Sequence, residues 1–231
     1  MSGIDRFPPE SRSTRTCRPR SRFTWRTAGV LPSLALALLA SPVRATGDEA
    51  WMPGFHPPGV NADGVIYAMT VFNGDLVVGG TFQSIGGIHA NNIARWDGQE
   101  WRPLEAGTNE TVRALAVYGN SLIAGGDFTS AGSTPAAHVA QWNGGAWGAL
   151  GSGTSAAVHA LAIHGGSVVA GGEFTTAGGA SALRVARWNG TVWSPMGSGF
   201  SGTVLALTVS GTALHAGGGF TSSGSIQVNC V

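Results

Sequence analysis

Short apolar runs separated by Gly-rich polar stretches recur along the chain at a fixed spacing. The runs Ile66–Val71, Val112–Val117, Val158–Ile163 and Val204–Val209 share the outline Val-x-Ala-Leu-x-Val. Each is apolar at nearly every position, which predicts a strand covered on both faces. A two-residue polar turn such as Asn73-Gly74 or Gly165-Gly166 follows, of the kind that closes a tight hairpin. Second strands are expected over Leu76–Gly80, Leu122–Gly126, Val168–Gly172 and Leu214–Gly218. They run into Gly-Gly-x-Phe elements at Gly79, Gly125, Gly171 and Gly217, each 46 residues after the last. A loop rich in Gly, Ser and Thr comes next, and then a third strand such as Val139–Trp142. Asp97-Gly98, Asn143-Gly144 and Asn189-Gly190 favour the positive φ angles of a type I′ hairpin. The fourth strand starts at Trp101, Trp147 or Trp193 and ends at Leu104, Leu150 or Met196.

Four antiparallel strands in 46 residues, with a Trp pair per unit, describe a β-propeller blade. A lone four-stranded sheet leaves a face uncovered, so neighbouring units must stack. Paired Gly permit close backbone approach near an axis, and the Trp supply large areas for burial between units. The expected fold class is all-β, with full blades over 66–111, 112–157 and 158–203 and a partial fourth over 204–231. A β-helix solenoid is the competing solution, but its rungs are shorter and lack regular hairpin turns.

Three stretches carry a resemblance. Leu76-Val77-Val78-Gly79-Gly80, Ala94-Arg95-Trp96-Asp97-Gly98 and Trp101-x-Pro103-Leu104 resemble Kelch-type repeats. The likeness extends over about 66–231 and is nearest to secreted bacterial propeller repeats and to those of fungal cortical polarity-marker proteins. Arg-Trp-Asp/Asn-Gly stands where the usual Kelch pattern has Tyr-Asp. The resemblance implies a propeller fold. It implies activity only weakly, because the group includes enzymes such as galactose oxidase and many binding scaffolds.

Charge redraws the picture at the start of the chain. Eight of the 13 Arg lie before residue 45, ahead of or beside the apolar run Ala28 to Ala40. Val43-Arg44-Ala45 then gives a small-x-small cleavage pattern, so 1–45 reads as a secretory signal peptide. The apolar run is short for a membrane span and contains Pro32. Beyond residue 45 there are five Arg against ten Asp and Glu, a formal charge of −5. That balance argues against nucleic acid as a partner, since phosphate binding needs a basic patch. Cys17 falls in the signal, which leaves Cys230 without an internal disulfide partner. Residues 46–65 are an irregular lead-in, in which Trp51-x-Pro53 echoes the fourth strand of a unit. Ile226–Val231 is read as part of a third strand by its alignment with Ile88–Ile93. The expectation is a fragment of a longer propeller with an open edge prone to self-association. The alternative is a four-bladed ring closed by the strand at Trp51.

Candidate chemistry is sparse. Gly197-Ser198-Gly199-Phe200-Ser201-Gly202 satisfies G-x-G-x-x-G. It precedes a strand instead of a helix and reads as an inter-unit link, not a dinucleotide site. His56, His89, His138, His159, His164 and His215 show no ligand spacing, and no metal or cofactor is expected. Asp127 and Glu173 occupy one register position, and two such carboxylates can bind calcium or act in acid–base catalysis. Exposed turn residues are the simpler reading. Asn109-Glu110-Thr111 and Asn189-Gly190-Thr191 match glycosylation sequons. The most informative set is the second residue of each first strand: Tyr67, Arg113, His159 and Leu205. It varies freely while its neighbours hardly change, as a position facing a central channel or its mouth would. The sequence therefore points to a secreted or cell-surface propeller acting as a non-catalytic binding or structural module, with an unidentified protein or carbohydrate ligand. A secreted polysaccharide hydrolase or lyase is the alternative.

Overall fold

The structure is a computed structural model and describes residues 64–224 and 226–227. The expected signal segment 1–45, the strand expected at Trp51, His56 and Cys230 lie outside the described residues. Three units each form one antiparallel four-stranded sheet with strands in chain order, and no helix occurs among the described residues. In the second unit the sheet strands are Val112–Tyr118, Ser121–Gly126, Val139–Trp142 and Trp147–Ala149. The first and third units repeat this arrangement, and the fourth contributes the hairpin Val204–Ser210 with Ala213–Gly218. These are propeller blades, three complete and one partial.

Two hydrophobic cores lie between units, and a third, of Val78, Phe82, Ile85, Ala94 and Trp101, lies within the first unit. One core joins Val77, Ile93 and Leu104 of the first unit to Leu122, Phe128, Trp142 and Trp147 of the second. The next joins Ile123, Val139 and Leu150 to Val168, Phe174, Trp188 and Trp193. The second and third blades thus present a Trp face to the unit before, which meets them with an aliphatic face. The paired Trp rings meet at a tilt, 5.3 Å apart for Trp142–Trp147 and 5.5 Å for Trp188–Trp193. Both partners of each pair therefore add aromatic contact to area burial. The second Trp also ties the units together: Trp147 Nε1 donates to the Leu104 carbonyl at 3.0 Å, and Trp193 Nε1 to the Leu150 carbonyl at 2.8 Å.

The glycine pairs set how close the blades come. A Cβ placed on Gly125 would lie 2.6 Å from Val158 Cγ1 of the next unit, and Gly79 and Gly171 stand the same way to Val112 and Val204. The second Gly of each pair is excluded from change by backbone, since a Cβ on Gly126 would run into the Thr111 carbonyl oxygen. The G-x-G-x-x-G stretch is the inter-unit link expected. Gly197 and Gly199 have φ of 56° and 71°, and Gly151 and Gly153 repeat the geometry at 58° and 71°.

Three details differ from the sequence reading. First, the Gly/Ser/Thr loop holds its own small hairpin in every unit, such as Ser130–Ala131 with Thr134–Pro135. Two-residue strands are too short to show a period. Second, Ile226–Gln227 pairs with Ser222–Ser223 in such a hairpin and is not part of a third strand. Third, Asp97-Gly98 and its counterparts are not type I′ turns, because only Gly98, Gly144 and Gly190 have positive φ. The loops span four residues, since Trp96 pairs with Trp101. Asp97 Oδ1 accepts the backbone N–H of Gln99 and Glu100, and Asn143 and Asn189 do the same in their units. Those N–H groups, Glu100 first and then Gln99, hold the Asp97 carboxyl below its ordinary range. The two-residue turns do hold where expected: Asn73-Gly74 and Gly165-Gly166 have positive φ at both positions.

Two predictions follow from the packing. Gly125→Ala should cost roughly 1–3 kcal/mol of unfolding free energy by overpacking against Val158. Gly217→Ala, whose Cβ would meet only Ala206 at 4.0 Å, should be close to neutral. Equal losses in urea titrations of the two variants would show that the glycines do not set the blade spacing. Trp142→Ala should cost about 3–5 kcal/mol, the usual range for a buried aromatic. A measured loss below about 1 kcal/mol would place that ring outside the core.

Candidate functional site

The second position of each first strand is a β-bulge. Ile66 pairs with Gly80 and Ala68 with Gly79, which leaves Tyr67 as the extra residue. The same shift isolates Arg113, His159 and Leu205. A bulged residue sits outside the ladder and its side chain is re-aimed. Its neighbours are fixed by pairing and by the glycine contacts, while the bulged side chain itself is not. That is the physical reason this position varies while the frame around it does not.

The structure brings these residues into a row across adjacent first strands. The Arg113 guanidinium lies over the Tyr67 ring, 5.6 Å from its centroid, so bulge residues of neighbouring units touch. Arg113 also forks onto Asp127 of its own unit, with Nε to Oδ1 at 2.8 Å and Nη2 to Oδ2 at 2.7 Å. Two parallel charge-assisted bonds fix the guanidinium plane. The hydrogen bond to Asp127 raises the Arg113 pKa, partial burial opposes the rise, and the charges of Asp127, Tyr67 and Glu173 add to it. In the third unit His159 Nε2 lies 3.1 Å from Glu173 Oε1. Leu205, in the fourth, is 57% exposed.

Sequence reasoning missed that each bulge residue has a matched partner fourteen positions on. The pairs are Tyr67 with Thr81, Arg113 with Asp127, His159 with Glu173 and Leu205 with Gly219. The base and the acid coincide in the same units, and neither occurs in the outer two. The signal was present as two register columns read separately. Asp127 is thus ion-paired with its own bulge residue and Glu173 is in hydrogen-bonding contact with its own, so neither stands as a free turn carboxylate. In the first unit Thr81 Oγ1 instead bonds Thr111 Oγ1 at 3.0 Å. The row reads aromatic, cation with anion, imidazole with anion, aliphatic.

The other candidates have structural roles. Asn109 Oδ1 accepts the N–H groups of Thr129 and Ser130, and its Nδ2 donates to Thr129 Oγ1. It therefore anchors the next unit's small hairpin, as Ser155 and Ser201 do. His138 has φ of 64° and its Nδ1 lies 3.1 Å from the Asp127 carbonyl. Asn92 and Arg184 share that left-handed position and donate to the carbonyls of Thr108 and Phe200. His164 Nε2 lies 2.9 Å from the Thr212 carbonyl of the fourth unit. His89 and His215 are exposed. Among the described residues no group of three or more His, Cys, Asp or Glu could hold a metal ion. A polar cleft of about 760 Å³ opens between the first two units, lined by Thr81, Asn91, Asn109, Glu110 and Thr111 among others. Its Asn91 and Asn109 side chains already hold the inter-unit link.

The Arg113–Asp127 pair is about one-third exposed on each side, which places it among solvated ion pairs. Asp127→Asn should therefore cost only about 0.5–1 kcal/mol at low salt, and less near 0.5 M salt. Urea unfolding at the two ionic strengths measures this, and a loss of several kcal/mol insensitive to salt would put the pair in the core.

One family match agrees with the propeller architecture. Residues 166–190 match a family described as "Domain of unknown function (DUF5122) beta-propeller". The match runs from the hairpin turn of the third unit to its Asn189-Gly190 loop. The crystal structure of the computationally designed Ika4 protein is similar at 19% identity and a TM-score of 0.46, over 67% of this chain and 86% of that one. The computationally designed Ika8 protein is similar at 21% identity and a TM-score of 0.44, over 67% of this chain and 43% of that one. No curated protein matches the chain.

Proposed function

We propose that the protein is a secreted or cell-surface module of Kelch-like propeller repeats that binds a protein or carbohydrate ligand without transforming it. Export is supported by the basic start, the apolar run Ala28 to Ala40 and the Val43-Arg44-Ala45 pattern. The Kelch-like part of the reading is supported by the Gly-Gly pair that ends each second strand and by the Trp-x-Pro stretches Trp101-x-Pro103 and Trp193-x-Pro195.

The binding reading rests on one observation. Four neighbouring bulges carry four different side chains on one repeated frame, and Arg113 is already in contact with Tyr67 across units. Varying a side chain at a bulge leaves the ladder bonds and the glycine contacts unchanged, so specificity can change without disturbing stability. The row offers an aromatic face at one end, an aliphatic side chain at the other and two carboxylate-held donors between them. Ring stacking plus Arg and carboxylate hydrogen bonds suits a sugar chain or an extended polar peptide segment. Substrate turnover has no comparable support, because Asp127 and Glu173 are each engaged by a base of their own unit.

The test is a screen of the full chain against polysaccharides and extracellular proteins, followed by titration of any ligand found. Arg113→Ala and Tyr67→Ala should each weaken binding by about tenfold or more, as lost charged hydrogen bonds or ring contacts do. Their melting temperatures should stay near that of the parent chain. Unchanged affinity in both variants would remove the row from the binding surface, and release of a cleaved product would replace binding with catalysis.

A further inference from the structure

Histidine is the side chain whose charge ordinarily changes between about pH 5 and 8. In the row of bulges that residue type stands at His159. His159 and its neighbour Arg113 both belong to inner units, and each of their strands has a first strand packed on either side. The His159 side chain is 11% exposed, whereas that of Glu173 is 55% exposed. A carboxylate only accepts, so the 3.1 Å contact with Glu173 Oε1 places the hydrogen of the neutral imidazole on Nε2. A second proton then goes to Nδ1, which has no hydrogen bond to any described residue. The ring can therefore gain a charge without breaking a bond.

Few titratable groups surround that ring. The strand Val112–Tyr118 on one side brings Arg113 at the same register and Tyr118 at its far end. The strand Val204–Ser210 on the other side carries none. The paired strand Ser167–Gly172 carries none and leads into Glu173. His164 ends the strand of His159 itself and is held on the Thr212 carbonyl. Asp127 is forked by Arg113, and His138 lies against the Asp127 carbonyl. The charge of Glu173 is also felt at Arg113 across the unit boundary. Arg113 thus stands between the carboxylate of its own unit and that of the next. While His159 is neutral, one cation faces two carboxylates, and the row holds one negative charge in excess. Protonating His159 cancels that excess.

We propose that the row is a pH-sensitive unit in which a proton taken up by His159 draws the Glu173 carboxylate onto the imidazolium and away from Arg113 of the unit before. Glu173 is the partner able to move, since it is the more exposed of the two. A carboxylate bound to an imidazolium makes the stronger, charge-assisted hydrogen bond. At neutral pH the excess negative charge favours cationic and donor groups of a ligand. At mildly acid pH that excess is gone, and Arg113 turns from two carboxylates to one, which opens it to an anionic group. This consequence for ligand choice rests on the binding reading above, whereas the proton step does not.

The test needs no ligand. The isotope-labelled full chain is followed by NMR from about pH 8 to about pH 5, the range in which histidines change charge. The signals read are the His159 ring and the Arg113 Nε–H, the latter assigned by its loss in Arg113→Lys. Both should move together, with one shared midpoint. In His159→Gln, which keeps a donor but does not titrate, the Arg113 signal should stay still. In Glu173→Gln the His159 ring should still step while the Arg113 signal loses most of its travel. A His159 ring that does not step in this range overturns the proposal, and so does an Arg113 signal that stays flat in the parent chain. An Arg113 step kept in His159→Gln also overturns it and assigns the effect to His138. One kept in full in Glu173→Gln removes Glu173 as the link. A flat Arg113 signal leaves the binding reading intact, and a screen without a ligand leaves the proton step intact, so the two fail separately.

Discussion

The distance between neighbouring blades rests on one steric fact: no Cβ fits at Gly79, Gly125 or Gly171, the first Gly of the pair at each junction. With only hydrogen at that position, a Val from the next unit comes into contact with the bare backbone. The remaining contacts depend on that spacing. It brings the second Trp of a unit within hydrogen-bonding reach of the Leu carbonyl before it. It also lets small residues such as Ala124, Ala131 and Ala140 finish a core that larger side chains would overfill. The second Gly of the pair adds a separate restriction, because backbone of its own hairpin lies against it.

The bulge solves a different problem on the same strand. A strand committed on both faces has no side chain to spare for a ligand. Inserting one extra residue creates a position outside the ladder, at the same height in every unit. The four positions become a row only because the first strands lie side by side. The matched residues at the ends of the second strands then fix the orientation of the two basic side chains, Arg113 through a fork and His159 through one contact.

The period, the Trp pair, the sheet strands and the Gly-Gly elements were legible because each repeats with large, regular side-chain differences. The small hairpin at Ser130–Ala131 and Thr134–Pro135 was not, because two residues per strand carry no alternation and the Gly-rich composition reads as loop. The Asp97 loop was misread for a related reason. Asp-Gly suits a two-residue turn, but Trp96 and Trp101 are the pair that faces across the ladder, which sets a four-residue loop. The site was half legible. Free variation at Tyr67, Arg113, His159 and Leu205 showed in the sequence, and the partners Asp127 and Glu173 were noticed as a separate column. Joining the two columns required the pairing of Val112 with Gly126 across the hairpin, which brings residues fourteen apart together.

Because the core between two neighbouring units is shared between the aliphatic face of one and the Trp face of the next, no such junction belongs to a single repeat. An insertion or deletion of one whole 46-residue repeat therefore leaves every junction with the same two kinds of surface. A change of any other length breaks two junctions at once. The architecture tolerates gain and loss in steps of one unit, and the bulge travels with each step. A lineage of such chains would lengthen its contact row and diversify it by the same event, duplication of a single repeat.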